Sequence, residues 1–399
     1  MRSIAVRAQA DAQPRTVRDN QAINALRSLA AVAVVVGHIR TLYFQDYAVV
    51  PHSVAVQVGY AGTLFGHSAV MVFFVLSGFW VGGAVLAKTR DGRFRASRYG
   101  SDRLVRLWLV LLPALAVTAV LDLSGRWWFP ASTIYSGDPG FHNVVPVSPG
   151  TTMTVATALG NAAFLQHAWV PPLGTDTPLW SLAYEFWYYA LFPCMVLLLR
   201  RSSSTRVRVA SAGVLVAGGV VSGPAVLQLF PVWLLGVLVA ARQQTIRRLL
   251  SSCPQPLLAA IRTAVVAGFV ATVVGLSLLR TASRTADLAV GVATAGLLAL
   301  LVDDVRWRGA PDRVLRFLSR SAHGSYSLYA IHLPILAFVA AAVIGRADRR
   351  WFPDPLHLGA AALVFMVVAL AAWGFASCTE ARTNQVRSAL RRMPTSRTR

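Results

Sequence analysis

Three cysteines, Cys194, Cys253 and Cys378, are too few and too irregularly spaced for a disulfide framework or a thiolate metal site: the number is odd and no CxxC pair occurs. Charge is scarce too. Only 14% of the 399 residues are Asp, Glu, Lys or Arg, where a soluble domain carries about 25%. With 55% hydrophobic residues and a mean hydropathy of +0.55, an ordinary soluble fold is excluded. No internal repeat of the kind that marks many transporters is evident. The first apolar run follows Arg2, Arg7, Arg15 and Arg18, as in a signal peptide, but it has no A-x-A cleavage site and Arg27 interrupts it. It is expected to remain as a membrane helix.

What the chain does have is apolar blocks of roughly 17–22 residues, the length a helix needs to cross the hydrocarbon core. Ten are expected, at 23–42, 69–87, 104–122, 178–199, 207–222, 224–241, 258–279, 285–302, 322–344 and 357–378. The fold class is therefore all-α, a polytopic membrane protein. It divides into a basic N-terminal segment 1–22, a membrane domain 23–380 and a basic tail 381–399. The net charge of +22 would suit nucleic acid if it were clustered. Instead the basic residues alternate with the spans. With the N-terminus inside, 30 of the 38 Lys and Arg fall in inner segments, 7 fall in outer ones, and Arg27 lies within a span. The positive-inside rule then places both termini in the cytoplasm. A bacterial cytoplasmic membrane is the expected location and nucleic acid is not an expected partner. The longest outer segment, 123–177, carries Trp127, Trp128 and Phe129, which suit the membrane interface. Within it, Thr151 to Leu165 reads as a short interfacial or re-entrant helix.

Polar side chains inside spans are costly and so informative. Arg27 and His38 are eleven residues apart. Eleven steps of about 100° end about 20° past three full turns, so both leave the first helix on one face, about 16 Å apart in depth. The plainer explanation is a snorkelling arginine and an interfacial histidine. Ser77-Gly78 in the second span is explained by close helix packing; a nucleophile elbow would need different flanks. Arg103 and Arg106, at i and i+3, present two guanidinium forks on one face, a geometry that suits phosphate, although inner-side anchoring alone also accounts for them. Ser181 and Glu185, following Trp180, share a face at i and i+4. A carboxylate there is expected to point into the bundle toward a partner. Ser325, Tyr329 and His332 form one polar face at i, i+4 and i+7, and Pro334 is a candidate kink. A structural histidine accounts for His332 as readily as a reactive one.

Taken in order, R-x10-H (Arg27, His38), FFVLSGF (Phe73 to Phe79), R-x-x-R (Arg103, Arg106), WSLxxE (Trp180 to Glu185) and SYSLYxIHLP (Ser325 to Pro334) resemble the acyltransferase 3 family of integral membrane O-acyltransferases. The likeness covers about residues 20–380. Two positions depart from the family pattern: Met71 stands where many members have an acidic residue before the FF pair, and Glu380-Ala381-Arg382 replaces a closing E-x-P. No hydrolase-like domain is expected after the last span. The resemblance implies transfer of an acyl group, acetyl above all, from acyl-CoA to a hydroxyl of a cell-surface or exported glycan or glycolipid. A glycosylated secondary metabolite is an alternative acceptor. It implies His38 as the catalytic residue, with Arg103 and Arg106 on the coenzyme A side; Arg27, the family's first-span arginine, is a candidate to guide the donor's entry. Glu185 is a candidate to fix the tautomer of His38 or bind the acceptor, and is carried as a second catalytic candidate. Ser77, Trp180, Ser181, Tyr329 and His332 are candidate substrate-binding residues. No metal and no permanently bound cofactor are expected. The rival class is a proton-coupled transporter, since membrane histidine and glutamate also relay protons.

Overall fold

The structure, a computed structural model, describes residues 20–141, 144–145, 147–279, 283–302 and 311–392. Arg2, Arg7, Arg15, Arg18, Arg280 and the end of the basic tail lie outside them. Ten helices are long and apolar enough to cross a membrane, and they coincide with the ten apolar blocks. They are α1 Gln21–Tyr43, α2 Val54–Arg90, α3 Ala96–Trp128, α4 Trp180–Leu199, α5 Thr205–Ser222, α6 Pro224–Ser252, α7 Gln255–Leu278, α8 Arg284–Leu301, α9 Ser325–Val343 and α10 Pro355–Cys378. Among the described residues there is no β-strand, so the all-α expectation holds.

The helix starts follow from local chemistry. Asn20 Oδ1 accepts the Ala22 and Ile23 amides at 3.0 and 3.3 Å and caps α1. Ser283 and Asp354 cap α8 and α10 in the same way. Pro224 and Pro355 occupy first-turn positions where no amide donor is needed. Gly223, at φ +80°, makes the tight break between α5 and α6. Several helices outrun their apolar blocks. At 33 residues α3 extends from Ala96 to Trp128, about 50 Å at 1.5 Å per residue, which exceeds the hydrocarbon thickness. Polar residues at its ends do not break the hydrogen-bond ladder; they only lie outside the apolar stretch. Trp127 and Trp128 are exposed at its last turn. The Thr151–Leu165 stretch takes in the end of a four-residue turn of helix, Pro149–Thr152, and the helix Val155–Ala162.

α2 and α9 form the centre of the bundle, with 72% and 67% of their most apolar stretches buried, against 11% for α7 at the periphery. α1 packs against α2, α9 and the amphipathic helix Pro311–Ser321. α2 and α6 meet backbone to backbone: a Cβ on Gly78 would lie 1.9 Å from Trp233 O, and one on Gly236 1.9 Å from Val75 O. The small residue after Ser77 is thus explained by packing, and α2 adopts a π-helical turn over Gly78–Gly82 at this contact. α9 runs unbroken from Ser325 to Val343, so Pro334 does not end it.

The ends of α1 are both tied down. Beyond its C-terminus, Trp351 N donates to Tyr43 O (2.7 Å) and Gln45 N to Trp351 O (2.9 Å). Nearby, buried Arg350 pairs with Asp46 at 2.9 Å. At the other end, Asn20 caps the helix and Ser28 Oγ donates to Leu318 O (2.7 Å). The two ends are called here the Arg40 end and the Arg103 end, after the arginines near each.

Candidate active site

α1 carries its two polar residues into two separate clusters, both bordered by α9. Toward the Arg40 end, His38 Nδ1 lies 2.8 Å from His332 Nε2, and the two ring planes are within 11° of parallel. His332 Nδ1 in turn lies 2.8 Å from Tyr329 O, one helical turn back on α9. The Tyr329 hydroxyl donates to Pro178 O at 2.9 Å and accepts from Ser181 Oγ at 2.8 Å, which joins α9 to the start of α4. Phe73 meets the Tyr329 ring edge-on, and Phe74 packs on Trp180, Tyr184 and Tyr188.

His38 also lies on the wall of a cavity of about 810 Å³ at the Arg40 end. Trp169, Trp180, Pro171, Val147, His167 and Tyr329 are among its walls. Aromatic and apolar walls with a few polar groups are the usual make-up of a small-molecule site. His167, on the loop outside the spans, has its imidazole pushed below the ordinary histidine value by burial, so it presents a neutral ring there. His332, fully buried, does not reach this cavity. It is the hydrogen-bond partner of His38.

Toward the Arg103 end lies a second cluster, this one charged. Arg27 donates to Ala322 O and sits over the Trp80 ring, 5.6 Å from its centroid. Arg103 sits over Tyr99 and Tyr189 at 5.5 and 5.8 Å. Arg106 faces Glu380 at 3.9 Å, and Glu380 accepts from Ser327 Oγ at 3.3 Å. Glu185 accepts from the Tyr189 hydroxyl at 3.2 Å; that hydroxyl shares a 3.0 Å hydrogen bond with Ser77, which accepts the Trp233 indole N–H. Arg103 and Arg106 lie near enough for their charges to act on Glu185. Among the described residues, Arg27 Nε, Arg103 Nε, Trp80 Nε1 and the Tyr326 hydroxyl are buried here without hydrogen-bond partners. Buried donors left without partners are rare and call for an explanation.

The structure therefore brings together His38, Trp180, Ser181, Tyr329 and His332 in one cluster, and Arg27, Ser77, Arg103, Arg106 and Glu185 in another. The placement of Glu185 is a correction. Ser181 and Glu185 do share a face, but Glu185 bonds to Tyr189 and joins the arginines, while the imidazole partner of His38 is His332. Glu185 thus does not orient His38. Sequence reasoning missed Glu380, Trp80, Tyr189 and Tyr326. One signal was present for Glu380: the chain contains only two glutamates, and both lie in this cluster.

The family model for the acyltransferase domain matches residues 20–374. Acyltransferase MdmB of Streptomyces mycarofaciens is 29% identical over 227 residues, which are 55% of this chain and 49% of that protein. The chain thus spans about half the length of that relative. No solved structure matches. The matched region contains every residue of both clusters except Glu380, and the protein belongs to the acyltransferase 3 family.

Proposed function

We propose that the protein is a membrane O-acyltransferase. It moves an acyl group, acetyl the expected one, from cytoplasmic acyl-CoA to a hydroxyl of a cell-surface or exported glycan or glycolipid. The observation that carries this reading is the way α1 joins two unlike clusters: an imidazole on a cavity wall, and a separate set of guanidiniums and unpartnered donors. The charge bias of the loops supports a cytoplasmic Arg103 end in a bacterial cytoplasmic membrane. On that orientation the phosphates of acyl-CoA meet Arg27, Arg103 and Arg106, and the acceptor enters from the opposite side beside Trp169 and Trp180. The flat aromatic faces suit a sugar ring.

In the reaction the acceptor hydroxyl oxygen attacks the thioester carbonyl. Its proton passes to His38 Nε2, the nitrogen not bonded to His332. The carbon–sulfur bond then breaks, and the thiolate takes the proton from His38, so no proton is gained or lost. General-base catalysis contributes roughly 10²–10⁴ in rate. The test is mass spectrometry of surface glycans and extracted metabolites from cells with the wild-type protein and with His38→Ala at equal expression. Loss of one acyl mass with the variant is expected. An unchanged acyl pattern defeats the reading, and transport of a solute without covalent change would favour a transporter instead.

A further inference from the structure

We infer that His332 is a positioning residue that decides which nitrogen of His38 is the base and shares the charge once His38 has taken the acceptor's proton. This deepens the acyl-transfer reading above and rests on it. Tyr329 O can only accept, so the 2.8 Å contact places a hydrogen on His332 Nδ1. In a neutral imidazole the other nitrogen is then a bare acceptor. That nitrogen, Nε2, is 2.8 Å from His38 Nδ1, which must donate. A hydrogen on His38 Nδ1 leaves the lone pair of the neutral ring on Nε2. His38 lies on the cavity wall, whereas His332 is wholly buried. A single backbone hydrogen bond on α9 thus specifies the tautomer of a side chain on α1.

The anchor of this relay is itself held. Tyr329 is fixed by its hydroxyl to Pro178 O and Ser181 at the start of α4, so the turn bearing both the carbonyl and the imidazole is attached to a third helix. The near-parallel rings, 11° apart, let the N–H of His38 point at the in-plane lone pair of His332. When His38 Nε2 accepts the hydroxyl proton, its Nδ1 hydrogen can pass to His332 Nε2. The positive charge is then spread over two rings. Return of that hydrogen to His38 Nδ1 accompanies delivery of the Nε2 proton to the departing thiolate, and both rings are neutral again. The role given to a carboxylate in many triads is taken here by an uncharged ring, held by a backbone acceptor in place of an acid.

The test compares His332→Leu with His332→Gln in purified protein, using acyl-CoA and the acceptor identified by the mass-spectrometric experiment. Leu preserves bulk and removes the acceptor. Gln supplies a side-chain carbonyl oxygen to accept from His38 Nδ1. A histidine held in the wrong tautomer forfeits its general-base contribution, roughly 10²–10⁴ in rate. The Leu variant is expected to fall in that range with KM for both substrates changed less than about twofold, and the Gln variant to keep kcat within about tenfold. A merely structural role predicts that both variants suffer alike, or that KM moves with kcat. Either result overturns the inference, as does wild-type kcat in the Leu variant. If the Leu variant does not fold, the Gln variant decides alone: folded and inactive, it overturns the inference; folded and active, it supports it. Full activity of His38→Ala, by contrast, would defeat the acyl-transfer reading whatever His332 does.

Discussion

The His38 cluster and the Arg27 cluster share α1 and differ in how completely their polar groups are paired. Around His38, each hydrogen bond feeds the next: His38 to His332, His332 to Tyr329 O, Tyr329 to Pro178 O, with Ser181 donating to Tyr329. Around Arg27 the charges are multiple, and several buried donors have no partner. A complete network rigidifies a site in advance, whereas an incomplete one in a low-dielectric interior is costly until a ligand completes it. On the proposed function, the first cluster is chemistry already in place, and the second is the place where the donor's phosphates would complete the network.

That contrast can be broken most severely at its two poles. Replacing His38 with Ala should abolish turnover at unchanged acyl-CoA affinity. The double substitution Arg103→Ala/Arg106→Ala should do the opposite. It should raise KM for acyl-CoA by about tenfold or more, since a charge-assisted hydrogen bond contributes about 1.5–3 kcal/mol, and kcat at saturation should hold. Steady-state kinetics with varied acyl-CoA separates the two; an unchanged KM in the double variant would remove the arginines' role. A smaller effect is expected at Glu380, whose carboxylate faces Arg106 and, on the proposed function, would compete with a donor phosphate for it. Because that arginine is about one-third exposed, with 37% of its side chain accessible, the pair contributes at most about 1 kcal/mol. Glu380→Gln should therefore lower KM for acyl-CoA by no more than about fivefold, and a rise in KM would count against competition.

A last effect concerns stability rather than turnover. Asp176, just before the turn that receives Tyr329, is fully buried, and Thr118 Oγ donates to its Oδ2 at 3.0 Å. Burial, reinforced by the nearby Asp122 carboxylate, holds its carboxyl well above the usual range. The folded state thus keeps a proton that the unfolded chain releases near pH 4. The contribution of this group is fully present below that pH and is lost as pH rises toward the folded value. Asp176→Asn keeps an acceptor for Thr118 and has no proton to lose. Its thermal unfolding should match the wild type near pH 4 and lie above it at pH 8, as measured in detergent. A variant less stable at pH 8 would mean that Asp176 is held ionised.

Much of this was legible in advance. Ten apolar blocks became ten helices, and the spacing of Arg27 and His38 put them at two depths on one face of α1, where the structure finds two clusters. Identifying partners was harder. Ser181 and Glu185 do leave α4 on one side, but helical periodicity gives only azimuth and depth. Which group a side chain meets depends on how neighbouring helices cross and how far it reaches. Glu185 extends to Tyr189 and the arginines, while short Ser181 stops at Tyr329. Glu380 drew notice only as part of Glu380-Ala381-Arg382, where a family pattern closes on proline, yet the turn after α10 brings it to Arg106.

Taken alone, the sequence determined the membrane class, the number of spans and the depth and face of the polar residues along each span. An apolar run in lipid must satisfy its own backbone and therefore becomes a helix, and any polar group on it must be turned inward. The tertiary structure alone decided that His332, and not Glu185, meets His38, and that both glutamates lie among the arginines. Those pairings are made between helices far apart in the chain, at hydrogen-bond distances that no periodicity along one helix can specify.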